Sequence, residues 1–276
     1  MSSSTEPQQE RAALSLRLLS AAVLIPLVLG TAYLGGLWFA GLVALFAALA
    51  VIEFYQLTRR LDPQPSLVIG TTLTIALVLA ARYPQYRLAP AFFILTLALL
   101  MLLYVIRQDY ERFLGDWAAT LAGSAYIGGM LSYWVLLRDL PQGLTWVVVA
   151  AGATWLGDTA AYFVGKTLGR RRFFPRVSPR KTLEGAIGGI LAGTFTGAGI
   201  AIAFLGLAWP LAVLLGLLAS LAATFGDLAE SLLKRQAGAK DSGNLIPGHG
   251  GALDRVDSLL FAGAAVYYFA VFVAGA

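Results

Sequence analysis

Long apolar runs, separated by short polar segments, dominate the chain after its first 13 residues. The runs are continuous rather than alternating, and most approach the roughly 20 residues that a helix needs to cross a bilayer. They predict nine transmembrane helices, at 17–34, 36–56, 66–82, 88–106, 115–137, 144–165, 186–208, 210–233 and 256–275. We therefore expect an all-α, polytopic integral membrane protein rather than a transmembrane β-barrel, whose strands would alternate in hydropathy.

The first apolar run resembles a signal peptide in position, but it has no convincing small-x-small cleavage site and is followed by further spans. We interpret it as a retained helix. The polar residues 1–13 that precede it are expected to form a tail.

Composition agrees with a membrane protein. Hydrophobic residues make up 58% of the chain and charged residues only 13%, with a mean hydropathy of +0.75. These values exclude an ordinary soluble domain and a disordered chain. The chain has no cysteine, which excludes disulfides, zinc–thiolate sites and thiol catalysis, and its single histidine, His249, excludes a mechanism that needs two imidazoles in one chain.

The basic residues predict the orientation. With nine spans, all but three of the 20 lysines and arginines fall on one side of the membrane, the exceptions being Arg82, Arg87 and Arg138. That side comprises the N-terminus and the loops at 57–65, 107–114, 166–185 and 234–255. By the positive-inside rule it faces the cytoplasm, so we expect a protein of the cytoplasmic membrane.

Two of these loops contain more than basic residues. For Arg170–Arg172 alone, an anchor facing anionic lipid is the favoured interpretation. The loop from Lys234 to Asp257, however, combines cations with carboxylates and with glycines at 238, 243, 248, 250 and 251. Glycines let a backbone turn tightly or approach a ligand closely. Carboxylates and cations in such a loop suit a phosphate site that also holds a metal.

Several acids lie inside predicted spans, where an uncompensated carboxylate costs several kcal/mol. They are Glu53, Asp158, Asp227 and Glu230. For Glu53, a lone acid near an interface, a structural hydrogen bond or salt bridge is as well supported as a functional role. The others have polar neighbours at helical spacing, which favours a hydrated cavity at the cytoplasmic leaflet.

Helical periodicity places three acidic faces beside the basic loops. Asp158, Tyr162 and Lys166 are four residues apart, and Asp227, Ser231 and Lys234 also share a face. Asp254 and Asp257 lie at the start of the last span, where a helix N-terminus favours anions. Carboxylates bind divalent metal and cations bind phosphate oxygens, so the pattern indicates phosphoryl or nucleotidyl transfer at the membrane surface.

The stretch SLLKRQAGAKDSGNLIPGHGGALDRVD, residues 231–257, closely resembles the signature of phosphatidate cytidylyltransferases. GDTAAYFVGK at 157–166 and SPRKTLEG at 178–185 are similar to the other two cytoplasmic motifs of that family. Two departures, Arg180 for a more usual lysine and Ala252 for a larger aliphatic residue, change no carboxylate.

The resemblance implies a helical membrane fold with no nucleic-acid partner. It also implies a reaction in which CTP and phosphatidic acid give CDP-diacylglycerol and pyrophosphate. It further implies a Mg²⁺ requirement, contact with membrane lipids and a homodimer. The chain then divides into the tail 1–13, N-terminal transmembrane helices 14–110 and a C-terminal catalytic region 111–276.

The resemblance implies that Asp227 and Asp254 are metal ligands, and we add Asp257 and Asp158 as further or alternate ligands. A second cation is left open. The residues predicted to be catalytic are Asp227, Asp254, Lys240 and Asp241. The residues predicted to bind substrate are Lys166, Arg180, Lys181, Ser231, Lys234, Arg235, His249 and Arg255. His249 could be a base, a phosphate donor or a turn residue, and we rank the phosphate donor first.

Two other classes of protein are compatible with parts of this pattern. A CTP-dependent lipid kinase would use the same substrates but transfer the γ-phosphoryl group. A transporter also contains intramembrane acids, but it would need a site near the midplane and access from both faces.

Overall fold

The computed structural model describes residues 22, 26–108, 110–243 and 250–276. The predicted tail, the beginning of the first span and His249 lie outside these residues. We label the helices α1 (26–34), α2 (Gly36–Thr58), α3 (Leu67–Ala80), α4 (Leu88–Arg107), α5 (Phe113–Gly123), α6 (Met130–Asp139), α7 (Gly143–Thr167), α8 (Leu183–Ile200), α9 (Trp209–Gln236) and α10 (Leu253–Phe269). The described residues form no β-strand, and an isolated antiparallel bridge joins Arg172 to Thr182.

Seven helical segments of the described chain are long and apolar enough to cross a membrane. They are Gly36–Leu61, Leu88–Arg107, Phe113–Asp139, Gly143–Thr167, Leu183–Leu205, Trp209–Gln236 and Leu253–Ala274. Helix α3, with 14 residues, is shorter, and α1 continues the first predicted span into the described part of the chain. The predicted all-α, polytopic membrane fold is confirmed.

The helix ends differ from the hydropathy prediction on the side that carries the site. Helix α9 continues to Gln236, three residues past its predicted end at 233, and α10 begins at Leu253 instead of 256. Hydropathy ended the eighth span before the basic pair Lys234 and Arg235, whereas the helical backbone continues through both residues. Lysine and arginine are in fact favourable in a last helical turn, because of the helix dipole.

Helices α5 and α6 form one span, joined through a π-helical segment, Ser124–Gly129. The Ser124 hydroxyl donates to the Gly70 carbonyl of α3 at 2.9 Å and lies 2.9 Å from the Tyr55 hydroxyl of α2. Such π segments are uncommon and often accommodate a specific contact. Here the contact joins α2, α3 and α5 through a small buried polar cluster.

Helix α8 packs closely against α7 and α9 through a stripe of glycines. The stripe consists of Gly185, Gly189, Gly193 and Gly197. A Cβ atom at Gly189 would lie 2.8 Å from the Gly157 carbonyl oxygen of α7, and one at Gly193 would overlap Ser220 of α9. Small residues let membrane helices approach this closely. The glycine stripe therefore lets both α7 and α9 approach α8 closely.

Helix α10 lies at the centre of the bundle, in contact with α2, α6, α7 and α9. Its buried side chains include Leu253, Val256, Leu260 and Val266, which belong to the main hydrophobic core. The first turn of α10, with Asp254, is consequently held against both the N-terminal and the C-terminal helices.

Candidate active site

A cavity of about 560 Å³ opens between α7, α8, α9, α10 and the segment before α8. Its volume falls within the range typical of small-molecule sites. Much of its wall is made of small residues, namely Ala153, Gly157, Ala161, Gly185, Ala186, Gly189 and Ala223. Because these side chains project so little from closely packed helices, space remains between the backbones.

The cavity brings together charged residues from all three motifs. Those that line it are Asp158, Lys166, Arg180, Lys181, Asp227, Asp254 and Asp257. Four carboxylates and three cations thus face one volume, although they come from segments up to about 100 residues apart in sequence. The convergence of the motifs, predicted from their shared side of the membrane, is present in the structure.

On α7, the three residues that were predicted to share one helix face all contribute to the cavity. Asp158, Tyr162 and Lys166 all line the cavity, and the Lys166 ammonium lies 5.9 Å from the centroid of the Tyr162 ring. That separation is within the range of a cation–π contact. The face thus runs from a carboxylate deep in the helix to a cation near its C-terminal end.

On α9, Asp227 forms an ion pair with Lys181, which precedes α8. Both side chains are partly accessible, with 30% and 29% of their surfaces exposed. The pair joins two of the sequence motifs directly. A cation that already compensates a cavity-facing carboxylate is also within reach of a ligand in the same cavity.

The segment that carries Arg180 and Lys181 is held by specific contacts. Glu184 accepts hydrogen bonds from the backbone N–H groups of Arg170 and Arg171, at 3.0 and 3.2 Å. The Arg235 guanidinium of α9 donates to the Val177 carbonyl at 3.2 Å. These contacts fix both ends of the segment beside the cavity. Arg235 thus contacts this segment and is not among the residues that line the cavity, and its predicted contact with substrate stays a prediction.

Asp254 is the most extensively bonded carboxylate of the site. Its Oδ1 accepts from the Lys234 ammonium at 2.6 Å, and its Oδ2 accepts from the backbone N–H groups of Ser242 and Gly251 at 3.0 and 3.1 Å. Lys234 also forms an ion pair with Glu230. Lys234 therefore offsets the negative charge of Glu230 and Asp254, and it is not among the residues that line the cavity. Its predicted contact with the triphosphate stays a prediction.

Other predicted site residues lie away from the cavity lining. Lys240 and Asp241 are exposed, and Ser231 is buried in α9. Arg255 lines a second, largely apolar cavity of about 250 Å³ beside Trp134. His249 lies outside the described residues. The roles assigned to these side chains stay predictions.

Several hydroxyl groups of the cavity were missed by the sequence reasoning. They are Thr154, Ser178, Thr182, Ser220, Thr224 and Ser258. A usable signal existed for some of them, because Thr154 precedes Asp158 by one helical turn and Thr224 precedes Asp227 by nearly one turn. Extending the polar faces backwards along α7 and α9 would have found them.

The donor groups suit a hard cation that binds together with substrate phosphates. Among the described residues, no three acidic or imidazole side chains form a ready-made metal site. Four carboxylates nevertheless line the cavity. Mg²⁺ in proteins is usually bound by one or two carboxylates together with phosphate oxygens and water. The donor chemistry of these carboxylates therefore suits a hard divalent cation such as Mg²⁺.

Known proteins resemble this chain over most of its length. The profile of the Cytidylyltransferase family matches residues 15–273. A phosphatidate cytidylyltransferase of Synechocystis sp. is 36% identical, over 92% of this chain and 96% of its own. Those of Bacillus subtilis and Pseudomonas aeruginosa are each 35% identical, over 91% and 88% of this chain and 93% and 92% of their own. The chain thus belongs to the cytidylyltransferase family.

Proposed function

We propose that this protein transfers the cytidylyl group of CTP to phosphatidic acid, giving CDP-diacylglycerol and pyrophosphate for phospholipid synthesis. One observation carries the proposal: four carboxylates and three cations, drawn from three separate motifs, face one cavity between membrane-spanning helices. The names of the three relatives support the same reaction.

In this reaction a phosphate oxygen of phosphatidic acid attacks the α-phosphorus of CTP, and the bond to the pyrophosphate oxygen breaks. A phosphate monoester is largely ionised at neutral pH, so the nucleophile needs no strong general base. The task of the protein is to align the two phosphates and to offset their negative charge. Lys166, Arg180 and Lys181 line the cavity and are the side chains that we assign to phosphate oxygens.

We propose that Asp227 and Asp254 hold Mg²⁺, with Asp257 and Asp158 in the same cavity as further ligands. When bound, Mg²⁺ would neutralise phosphate charge at the reacting centre. Lys181 compensates Asp227 in the structure. We expect its ammonium group to turn towards a phosphate oxygen when the nucleotide binds, since it has three N–H donors and faces the cavity.

The depth of the site suits a lipid substrate. Asp158 and Asp227 each lie about 14 Å from the C-terminal end of their helix, at 1.5 Å per residue. The phosphate of a membrane lipid and a water-soluble nucleotide can meet near this level, while the acyl chains stay in the bilayer.

The function is tested with CTP labelled separately at its α- and γ-phosphorus, supplied with phosphatidic acid in detergent micelles and Mg²⁺. We expect the α-label in the lipid product and the γ-label in pyrophosphate. A γ-label in the lipid, with the α-label left in CDP, would instead identify a lipid kinase. Folded protein that transfers neither label would favour a transporter.

We propose further that the protein lies in the cytoplasmic membrane with the cavity open to the cytoplasm. The excess of basic residues in the loops on that side supports this orientation. The homodimer implied by the resemblance stays a prediction.

Orientation is tested by thiol labelling, since the chain contains no cysteine. Cysteines replacing the exposed residues Arg172 and Lys240 should react with an impermeant reagent only from the cytoplasmic face. A cysteine replacing the exposed Gln85 should react only from the opposite face. Labelling of Arg172→Cys and Lys240→Cys from different faces would contradict a single site.

A further inference from the structure

Glu53 is a completely buried carboxylate outside the motifs that carry the family resemblance. It is the single charged residue of α2, and none of its surface is exposed. A buried carboxylate is strongly unfavourable unless protein groups donate hydrogen bonds to it. Its partners therefore indicate what the residue holds in place.

Those partners lie in the signature, about 190 residues later in the chain. Glu53 Oε2 accepts hydrogen bonds from the Ser242 hydroxyl and from the Leu253 backbone N–H, both at 2.9 Å. Leu253 is the first residue of α10, and the first N–H groups of a helix have no partner within the helix. A carboxylate at that end also interacts favourably with the helix dipole. Glu53 thus caps α10 from a different helix.

The signature glycines leave room for Glu53. Gly243 and Gly251 do not have the positive φ angles that favour glycine, but a Cβ at either position would overlap the Glu53 carboxylate. Gly250, by contrast, has a φ of 81° and is needed for its backbone conformation. The groups that approach Gly243 and Gly251 closely are therefore side chains of the protein itself, namely Glu53 at both positions and also Ser242 at Gly251.

Ser242 connects Glu53 to the cavity. Its hydroxyl lies 2.9 Å from Asp254 Oδ2 as well as from Glu53, and its backbone N–H donates to the same Asp254 oxygen. Asp254 lines the cavity, whereas Glu53 is not among the lining residues. Glu53 is thus separated from the cavity by one serine and one aspartate.

We propose that Glu53 is a positioning residue: it docks Ser242 and the start of α10 onto α2, and thereby fixes the orientation of Asp254 in the cavity. The proposal rests on the proposed function, because it is the assigned role of Asp254 that makes this orientation matter. It gives the N-terminal helices a part in turnover, although they contribute no residue to the cavity lining.

Asp116 offers a matched control. It is also buried in a helix, with 5% of its surface exposed, and it also holds a loop, accepting from the Gln64 N–H at 2.5 Å and from the Tyr104 hydroxyl at 2.9 Å. It is not among the residues that line the cavity. Asp116→Asn therefore reports what the loss of a buried, loop-holding carboxylate does to the fold alone.

The kinetic test compares Glu53→Ala, Glu53→Gln and Asp116→Asn, each normalised to the amount of folded protein. Glu53→Ala should lower kcat/KM for CTP by about 10- to 100-fold, the usual effect of removing a group that orients a metal ligand. The Mg²⁺ concentration at half-maximal rate should rise, while KM for phosphatidic acid should change by no more than about twofold. Glu53→Gln keeps the size and one acceptor oxygen, so it should restore part of the loss.

A Glu53→Ala enzyme with unchanged kcat/KM for CTP would overturn the proposal. So would an equal loss in Asp116→Asn, because the effect would then be one of general stability.

A second readout does not depend on turnover. Ala252 is completely buried beside Leu253, and a cysteine placed there would be the only thiol in the chain. Its reaction with a soluble thiol reagent should be faster in the Glu53→Ala background and unchanged in the Asp116→Asn background. An unchanged rate in both would overturn the docking contact, even if the protein proved to catalyse a different reaction.

A double-mutant cycle tests the contact between Gly243 and Glu53 directly. Gly243→Ala should reduce kcat/KM for CTP because its Cβ overlaps Glu53. Combining it with Glu53→Ala should cost less than the product of the single effects, because Glu53→Ala removes the atoms that the new Cβ would overlap. Purely multiplicative effects would show that the two residues act independently, and would overturn the proposal.

Discussion

Two sets of acidic side chains lie at the same end of the helix bundle, in different surroundings. Asp158, Asp227 and Asp257 line the open cavity, whereas Glu53 and Glu230 are completely enclosed. Asp254 belongs to both sets, because it lines the cavity and also accepts hydrogen bonds from the Ser242 backbone N–H and from Lys234. The comparison shows that an acid in an apolar helix can either face a cavity or hold protein groups in place, and the sequence alone does not separate these two roles.

The physical difference is how the charge is compensated. A carboxylate that faces a hydrated cavity can be stabilised by water, a cation or a ligand. The charge of an enclosed carboxylate must be offset by protein groups, as that of Glu230 is by the Lys234 ammonium. The cavity-facing acids should therefore matter mainly for turnover, and the enclosed acids and their partners mainly for stability or positioning.

The largest expected effect is on the cavity-facing metal ligands. Asp227→Asn and Asp254→Asn keep the size of the side chain but remove the charge that Mg²⁺ requires. We expect each to reduce the rate of CDP-diacylglycerol formation by more than about 100-fold, beyond the effect of residues that only orient a ligand. The measurement is turnover at saturating Mg²⁺, with membrane insertion and purified yield as controls. A variant that keeps a tenth of the wild-type rate would exclude that residue from the metal site.

Lys181 and Lys234 extend the comparison to the cations, because Lys181 lines the cavity and Lys234 does not. Lys181→Gln should lower kcat by about 100-fold, as expected for the loss of one electrostatic contact to the reacting phosphates, with little change in thermal stability. Lys234→Gln leaves Glu230 and Asp254 without their shared cation. It should destabilise the protein by about 3–5 kcal/mol, the typical cost of removing one partner of a buried pair.

Thermal unfolding in detergent, measured beside turnover, separates these two outcomes. Equal losses of stability in Lys181→Gln and Lys234→Gln would contradict the distinction between the cavity-lining acids and the enclosed acids.

The smallest effect is expected for Lys240 and Asp241, which the sequence predicted to be catalytic. Both are exposed and neither lines the cavity. Lys240→Ala and Asp241→Asn should therefore change turnover by no more than about two- to threefold, in line with surface substitutions. A loss greater than tenfold in steady-state assays would support their predicted catalytic role and place them against bound substrate.

Part of the site could be predicted because its determinants are local. Asp158, Tyr162 and Lys166 share a face in any α-helix, and hydropathy predicted that 144–165 is helical. The placement of all three motifs on one side of the membrane followed from the number of spans and the distribution of basic residues. These features depend on neighbours in sequence or on the solvent, so the sequence carries them directly.

The roles of the individual cations could not be predicted in the same way. Lys181 and Lys234 both lie in basic loops or at helix ends. Lys181 lines the cavity, whereas Lys234 is not among the lining residues and bonds to Asp254. Arg255 was grouped with the phosphate-binding residues but lies at the apolar cavity beside Trp134. The direction of a long side chain depends on helix rotation and packing, which hydropathy does not contain.

The sequence by itself determined the helices, their apolar lengths, the acidic faces on α7 and α9 and the motif at 231–257 that links the chain to its family. Only the tertiary structure decided that Glu53 holds Ser242 and α10, that Gly243 and Gly251 make room for it, and that Lys234 compensates two acids. The reason is the separation of the interacting residues along the sequence. Helix formation and membrane insertion depend on each segment and its surroundings, whereas the contact between Glu53 and Ser242 exists only because α2 packs against the first turn of α10.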